Sequence, residues 1–227
     1  MNLEKLAYPD VPDGAVHLLP LGATEPHGPH APLSTDTVIS VGICERAAER
    51  LEGEIPVLVL PAMPYGVTRY GSAFPGAVSV SEETLRSLVT EIADGVGTLV
   101  LVNSHFEPEQ IETLRSTGLP LLDLTRRRNA ERLTEEFRSG SCHAGRYETS
   151  LVLADRPELV HSDRMTGLAE RHVDMPAAIR AGQTDFLAMG MDEAYCGSPA
   201  ESTAEEGRET FETLAGMLVE LIREVAA

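Results

Sequence analysis

Thr98-Leu99-Val100-Leu101-Val102-Asn103-Ser104-His105-Phe106-Glu107 is an apolar run that stops at Asn-Ser and passes at once to a histidine and a glutamate. A run of valine and leucine bounded by turn residues predicts a strand buried on both faces, as in a parallel sheet. His17-Leu18-Leu19-Pro20-Leu21-Gly22 repeats the arrangement, with Glu25 and His27 just beyond its end. In open parallel α/β sheets ligands bind in the crevice past the carboxyl ends of the strands, so these two strands would deliver their polar ends to one place.

Outward from these stretches the pattern continues. Strand-like runs at 15–21, 55–60, 98–102 and 119–124 alternate with helix-like segments at 37–51, 81–93, 109–116 and 127–138. That rhythm predicts an α/β fold, a three-layer αβα sandwich with a mostly parallel central sheet. A short helix is expected at 148–153, and a last one at 202–225 carries Phe211, Leu214, Leu218, Leu221 and Ile222 on one stripe. No repeat or linker divides the chain, so residues 1–227 are expected to form a single domain, and 42% hydrophobic residues suffice for its core. Residues 61–76, rich in Pro, Gly and aromatics, read as a loop over a pocket.

In extended backbone residues i and i+2 point the same way, so Glu25 with His27, and His105 with Glu107, each present a pair of metal ligands. All are nitrogen or oxygen donors, which suits zinc, manganese or iron(II). Two ions sharing a site need a bridging carboxylate, and Asp36 is the candidate. Its position just before an apparent helix start also fits a plain N-cap.

The stretch from Leu19 through Glu25-Pro26-His27-Gly28-Pro29-His30 to Thr35-Asp36-Thr37 resembles the opening signature of the creatininase family of metal-dependent amidohydrolases. Val102-Asn103-Ser104-His105-Phe106-Glu107 is similar to the family's second metal segment, and His143-Ala144-Gly145-Arg146-Tyr147-Glu148-Thr149-Ser150 to its third block. Phe74-Pro75-Gly76 and Gly197-Ser198-Pro199 follow in family order. The resemblance implies that Glu25, Asp36 and His105 hold one divalent ion and His27, Asp36 and Glu107 the other. It further implies Glu148 as acid/base, with His143 beside the substrate, and solvent between the two cations as the nucleophile. Read without the family, Glu148 is a carboxylate in the first turn of a helix, where it favours the dipole.

Departures from the family pattern bear on substrate. Creatinine-hydrolysing members wall their pocket with tryptophan, and this chain has none, which removes a stacking surface for a planar ring. Phe106, Arg69 and Tyr70 are the expected substrate contacts. Arg69 would clamp a carboxylate or phosphate by paired hydrogen bonds, unless it merely pairs with a surface acid. The expected reaction is hydrolysis of a C–N amide bond in a small or cyclic amide. Related branches offer a formylamino-pyrimidine deformylase and a peptidase that trims a peptide-derived redox cofactor. A metal-binding subunit without catalysis is the remaining alternative, disfavoured because such a module needs no proton shuttle.

The formal charge of −18, from 18 Lys and Arg against 36 Asp and Glu, opposes nucleic-acid binding and argues against a membrane surface. No apolar stretch approaches a membrane span, and the first residues lack a signal-peptide core, so a cytoplasmic protein is expected. Cys44, Cys142 and Cys196 are odd in number and lack metal spacing, so they are read as free thiols. His30 is assigned to support the pocket, whereas His17, His161 and His172 have no ligand partner at useful spacing. Residues 161–197 are the least regular part and are expected to include arms toward a neighbouring subunit; by resemblance the protein is expected to form a homo-oligomer, a hexamer.

Overall fold

A computed structural model describes residues 1–227. Four strands, β1 (Val16–Leu21), β2 (Val57–Val59), β3 (Leu99–Asn103) and β4 (Leu121–Leu122), form one all-parallel sheet in the order β2-β1-β3-β4. The helices are α1 (Thr35–Arg50), α2 (Glu82–Val96), α3 (Pro108–Ser116), α4 (Arg127–Ala130), α5 (Glu135–Ser139), α6 (Arg146–Asp155), α7 (Ser162–Met165), α8 (Met175–Arg180) and α9 (Ala204–Ala226).

Side chains alternate across the two central strands. Val16, Leu18, Val100 and Val102 pack on one face against Ile39 and Ile43 of α1, Leu151 of α6, and Phe211, Leu214 and Leu218 of α9. Leu19, Leu21, Leu99 and Leu101 pack on the other against Leu85 and Val89 of α2 and Leu114 of α3. Because helices cover both faces, neither strand shows polar alternation, and the result is the three-layer sandwich. Phe211 is fully buried and would cost about 3–5 kcal/mol to truncate to alanine.

The β1–β3 register sets Leu21 beside Asn103, so both strands leave the sheet at the same level. Segments 22–34 and 104–107 therefore start side by side. Gly22 lets β1 run hard against the start of α1, since a Cβ there would lie 2.6 Å from the Thr37 amide nitrogen. Ser40 of α1 ties the same corner by donating to the Leu21 carbonyl at 2.5 Å.

Some elements differ from the sequence reading. The helix expected over 127–138 is broken into α4 and α5, because Leu133 turns into the core and Thr134 caps a new helix by accepting from the Phe137 amide. β2 and β4 are shorter than the apolar runs that contain them, β2 starting only after Pro56. Helix α1 begins at Thr35, which puts Asp36 inside the first turn rather than at the cap, where Ser34 stands. No helix is long and apolar enough to cross a membrane.

Candidate metal centre

Beyond the ends of β1 and β3 the chain collects carboxylates and imidazoles in one buried volume. Glu25, His27 and Asp36 come from β1's exit loop and α1, His105 and Glu107 from β3's exit, and His143 and Glu148 from the loop and first turn of α6; all are buried. Asn103 shapes the β3 exit by donating to the His105 carbonyl at 2.5 Å, while Gln110 of α3 donates to Asn103 at 3.1 Å and accepts from the Val67 amide at 2.8 Å.

Asp36 lies at the middle. Its Oδ1 is 3.1 Å from His27 Nε2 and its Oδ2 is 3.2 Å from His105 Nδ1. Glu25 Oε1 is 3.1 Å from His105 Nδ1, and Glu148 Oε2 is 3.7 Å from His27 Nε2. Three sets of donor atoms, each mutually within 4.8 Å, result: Glu25, Asp36 and His105; His27, Asp36 and Glu148; and Glu25, His27 and His143.

The imidazoles are oriented from behind by backbone carbonyls. His27 Nδ1 faces the Glu25 carbonyl at 3.2 Å, His105 Nε2 the Val67 carbonyl at 2.9 Å, and His143 Nε2 the Pro26 carbonyl at 2.9 Å. A carbonyl only accepts, so each of these nitrogens carries the proton, and in the neutral ring the opposite nitrogen turns a lone pair toward carboxylates. Lone pairs aimed at carboxylates repel them unless a cation or a proton lies between. This outer-nitrogen anchoring is the usual support of metal-bound histidine. His27 Nε2 and Asp36 Oδ2 are buried without a hydrogen-bond partner, and no lysine or arginine side chain balances the carboxylates. The donor set therefore fits divalent cations with nitrogen and oxygen preference.

Protonation follows the same geometry. Burial opposes charge on His27, yet Asp36, Glu148 and Glu25 raise its pKa to about 10. Burial likewise opposes charge on His105, which Glu25 and Asp36 nonetheless raise well above 6.5. Against the same burial, His27 and His105 hold the Asp36 carboxyl far below the ordinary carboxylate range. Burial raises Glu148 to about 8 and Glu107 to about 7. His143 is pushed down to about 4 by burial and by the neighbouring His27.

Glu107 stands at the edge of the cluster, its Oε2 3.9 Å from His105 Nε2, and lines the same cavity. Its carboxylate accepts from the Arg69 amide at 2.8 and 2.9 Å and from the Tyr70 amide at 3.2 Å, which ties it to loop 61–76. Glu148 lies with His27 and Asp36 in one of the three donor sets, and its Oε2 accepts from the Ala144 amide at 2.6 Å. The Arg69 guanidinium lies outside the cluster and pairs with both oxygens of Glu82 at 2.8 Å on the surface. Tyr70 and Phe106 line the cavity over the cluster. His30 sits behind it, 2.9 Å from the Thr149 hydroxyl.

Other contributors were not among the residues singled out in the sequence, although Thr68 lies in the loop 61–76 expected over the pocket. Thr68 donates to Glu25, and Met175, Ile179 and Phe186, from the irregular stretch 161–197, wall the cavity. Phe186 lies 4.4 Å from the His143 ring. The cavity measures about 50 Å³. Cys142 also lines it, its thiol pushed well above 9 by burial, and all three cysteines are free.

A parallel α/β sheet with buried carboxylates and imidazoles at its carboxyl edge defines a metal-dependent hydrolase. The profile of the creatininase family, described as creatinine amidohydrolase, matches residues 4–222, and the chain belongs to that family. It is therefore a metal-dependent amidohydrolase of the creatininase type. It is 34% identical to the mycofactocin precursor peptide peptidase of Mycobacterium ulcerans (strain Agy99), over 86% of this chain and 79% of that protein. With the creatinine amidohydrolase of Pseudomonas putida it shares 31% identity over 66% of this chain and 68% of that one. A creatininase variant solved in complex with creatine superimposes with a TM-score of 0.73 at 25% identity, over 98% of this chain and 97% of that chain.

Proposed function

We propose that the protein is a dinuclear metal-dependent peptidase that cleaves an amide bond of a short peptide, a reaction of the kind named for the mycofactocin precursor peptide peptidases. Two observations carry the choice within the family. Likeness to such a peptidase runs over 86% of the chain, against 66% for creatinine amidohydrolase, and the chain has no tryptophan to wall a flat ring.

In this reading one zinc, manganese or iron(II) ion is held by Glu25, Asp36 and His105. The other is held by His27 and Asp36, with Glu148 as the third ligand because its oxygen already lies with theirs. When bound, such a pair of ions supplies an acidified solvent nucleophile and polarises the amide carbonyl. His143, neutral and anchored through Nε2, offers its free Nδ1 to a proton at the cluster. Glu107, with its pKa near 7, is the carboxyl left to return a proton to the leaving nitrogen. The converse, Glu107 as ligand and Glu148 as acid/base, is favoured by the Glu148 pKa of about 8, which also suits proton transfer near neutrality.

A small cyclic amide is the second substrate reading. It is favoured by the cavity of about 50 Å³, because a peptide requires the wall of Met175, Ile179 and Phe186 to move. We further assign a single domain, a cytoplasmic setting and a homo-hexamer, on family resemblance.

The test is to load the protein with Mn²⁺ or Zn²⁺ and present a mycofactocin precursor peptide, creatinine and a formylamino-pyrimidine in parallel, following products by mass spectrometry. Cleavage of the peptide alone is expected. Creatinine turnover with the peptide intact would replace the reading, and two bound ions with no product from any amide would point to a non-catalytic subunit.

A further inference from the structure

We propose that Glu136 is a positioning residue that clamps the segment carrying His143 and Glu148, although it touches neither the metal-ligand cluster nor the cavity. Glu136 lies on α5. Its Oε1 accepts from the Tyr147 amide at 2.8 Å, and its Oε2 accepts from the Ser198 amide at 2.8 Å. One carboxylate thus joins the first turn of α6 to the 196–198 strip.

The surroundings are shaped for that carboxylate. The N-cap of α6 is Gly145, which has no side chain to cap the exposed amides of the first turn, and Glu136 supplies the acceptor from another element. A Cβ at Gly145 would lie 2.5 Å from Glu136 Oε1 and 2.6 Å from the Cys196 carbonyl, and a Cβ at Gly197 would overlap Glu136 Oε2. Gly197 has φ +98°, so a side chain there would also be strained. Gly145 and Gly197, in the motif blocks His143–Ser150 and Gly197–Pro199, thus both leave room for Glu136, Gly145 also for the Cys196 carbonyl.

The clamp reaches the cluster by short paths. Tyr147 is the residue before Glu148, whose own carboxylate accepts from the Ala144 amide in the same turn. On the other arm, the Cys196 amide donates to the His143 carbonyl at 2.8 Å, beside the strip held through Ser198. Loosening Glu136 would release both segments together.

The inference rests on the dinuclear reading for its main readout, and a second readout is independent of it. Mn²⁺ titration by calorimetry would compare the full-length protein with Glu136→Gln, Glu136→Ala and Asp155→Ala. Asp155, at the far end of α6, pairs with Arg46 at 2.9 Å and serves as a control for general loss of stability. For Glu136→Ala the ion beside Glu148 is expected to bind about 10-fold more weakly or worse, with the other ion unchanged. Glu136→Gln keeps one acceptor and should fall between Glu136→Ala and wild type. Asp155→Ala should lower the thermal midpoint yet leave both ions in place. Ion affinities in the Glu136 variants within about twofold of wild type, or an equal loss in Asp155→Ala, would overturn the proposal. If Glu136→Ala does not fold, Glu136→Gln decides.

Should wild type take up fewer than two ions, the dinuclear reading fails and amide hydrogen exchange of the metal-free protein decides the clamp. Faster exchange in Glu136→Gln confined to residues 144–149 and 196–198 supports it; unchanged exchange there refutes it.

Discussion

His27, on the segment between β1 and α1, and Asp36, in the first turn of α1, are both fully buried and stand 3.1 Å apart between Nε2 and Oδ1. The contact lacks hydrogen-bond geometry, and His27 Nε2 has no other partner. A buried pair held this way requires either a shared proton or a cation.

Stability of the metal-free protein should fall as pH rises. His27 holds its proton up to about 10 when folded but only to about 6.5 when unfolded, so between those values the folded state binds more protons. Glu148, raised from 4.5 to about 8, acts in the same direction at lower pH. With the unfolded state binding fewer protons, the stabilisation is fully present below the unfolded pKa and disappears as pH passes the folded one. Thermal midpoints in chelator should decline from pH 6.5 to 10, while the Mn²⁺-loaded protein, whose ligands have exchanged protons for metal, should not follow that decline.

Asp36→Ala should abolish uptake of both ions, because its two oxygens face His27 and His105 separately. Metal analysis after gel filtration checks this. Retention of even one tightly bound equivalent would remove Asp36 from the bridging position.

Glu148→Gln and Glu107→Gln separate the two carboxyl roles. If Glu148 is the third ligand beside His27 and Asp36, Glu148→Gln should retain one equivalent and Glu107→Gln two, with turnover reduced in both by about 10²-fold or more. The reverse metal counts would assign ligation to Glu107. Unimpaired turnover in Glu148→Gln would take Glu148 out of the chemistry.

Gly207→Ala should destabilise the fold without touching the site. A Cβ at Gly207 would overlap the Ser150 carbonyl where α9 crosses α6, and neither backbone can yield freely. Overpacking of this kind costs about 1–3 kcal/mol. Urea denaturation should show that loss, with ion affinity kept.

The reach of the sequence is clearest at the strand ends. Leu99 to Val102 is uniformly apolar because both faces of β3 are covered, and that uniformity already announced a parallel sheet. The pairs Glu25 and His27, and His105 and Glu107, were visible as spacing because they sit on short exits from neighbouring strands. Less legible was which carboxylate faces which imidazole. Side-chain alternation predicted that His105 and Glu107 would sit together, and they lie 3.9 Å apart, but it gave no sign that the Arg69 and Tyr70 amides, on a loop remote in sequence, would hold the Glu107 carboxylate. The break between α4 and α5 was equally hidden, since it depends on burial of Leu133 against distant partners.

Local pattern, meaning apolar periodicity and the identity of donor residues near strand ends, was determined by the amino-acid sequence alone, because backbone geometry and side-chain chemistry act over a few residues. Tertiary structure decided the grouping of Asp36 with both His27 and His105, the entry of Glu148 into the cluster, the wall formed by Phe186 and the anchoring of α6 by Glu136. Those relationships join segments far apart in the chain. They exist only where the parallel register, the close approach at Gly22 and the packing of α6 on α9 bring the segments together.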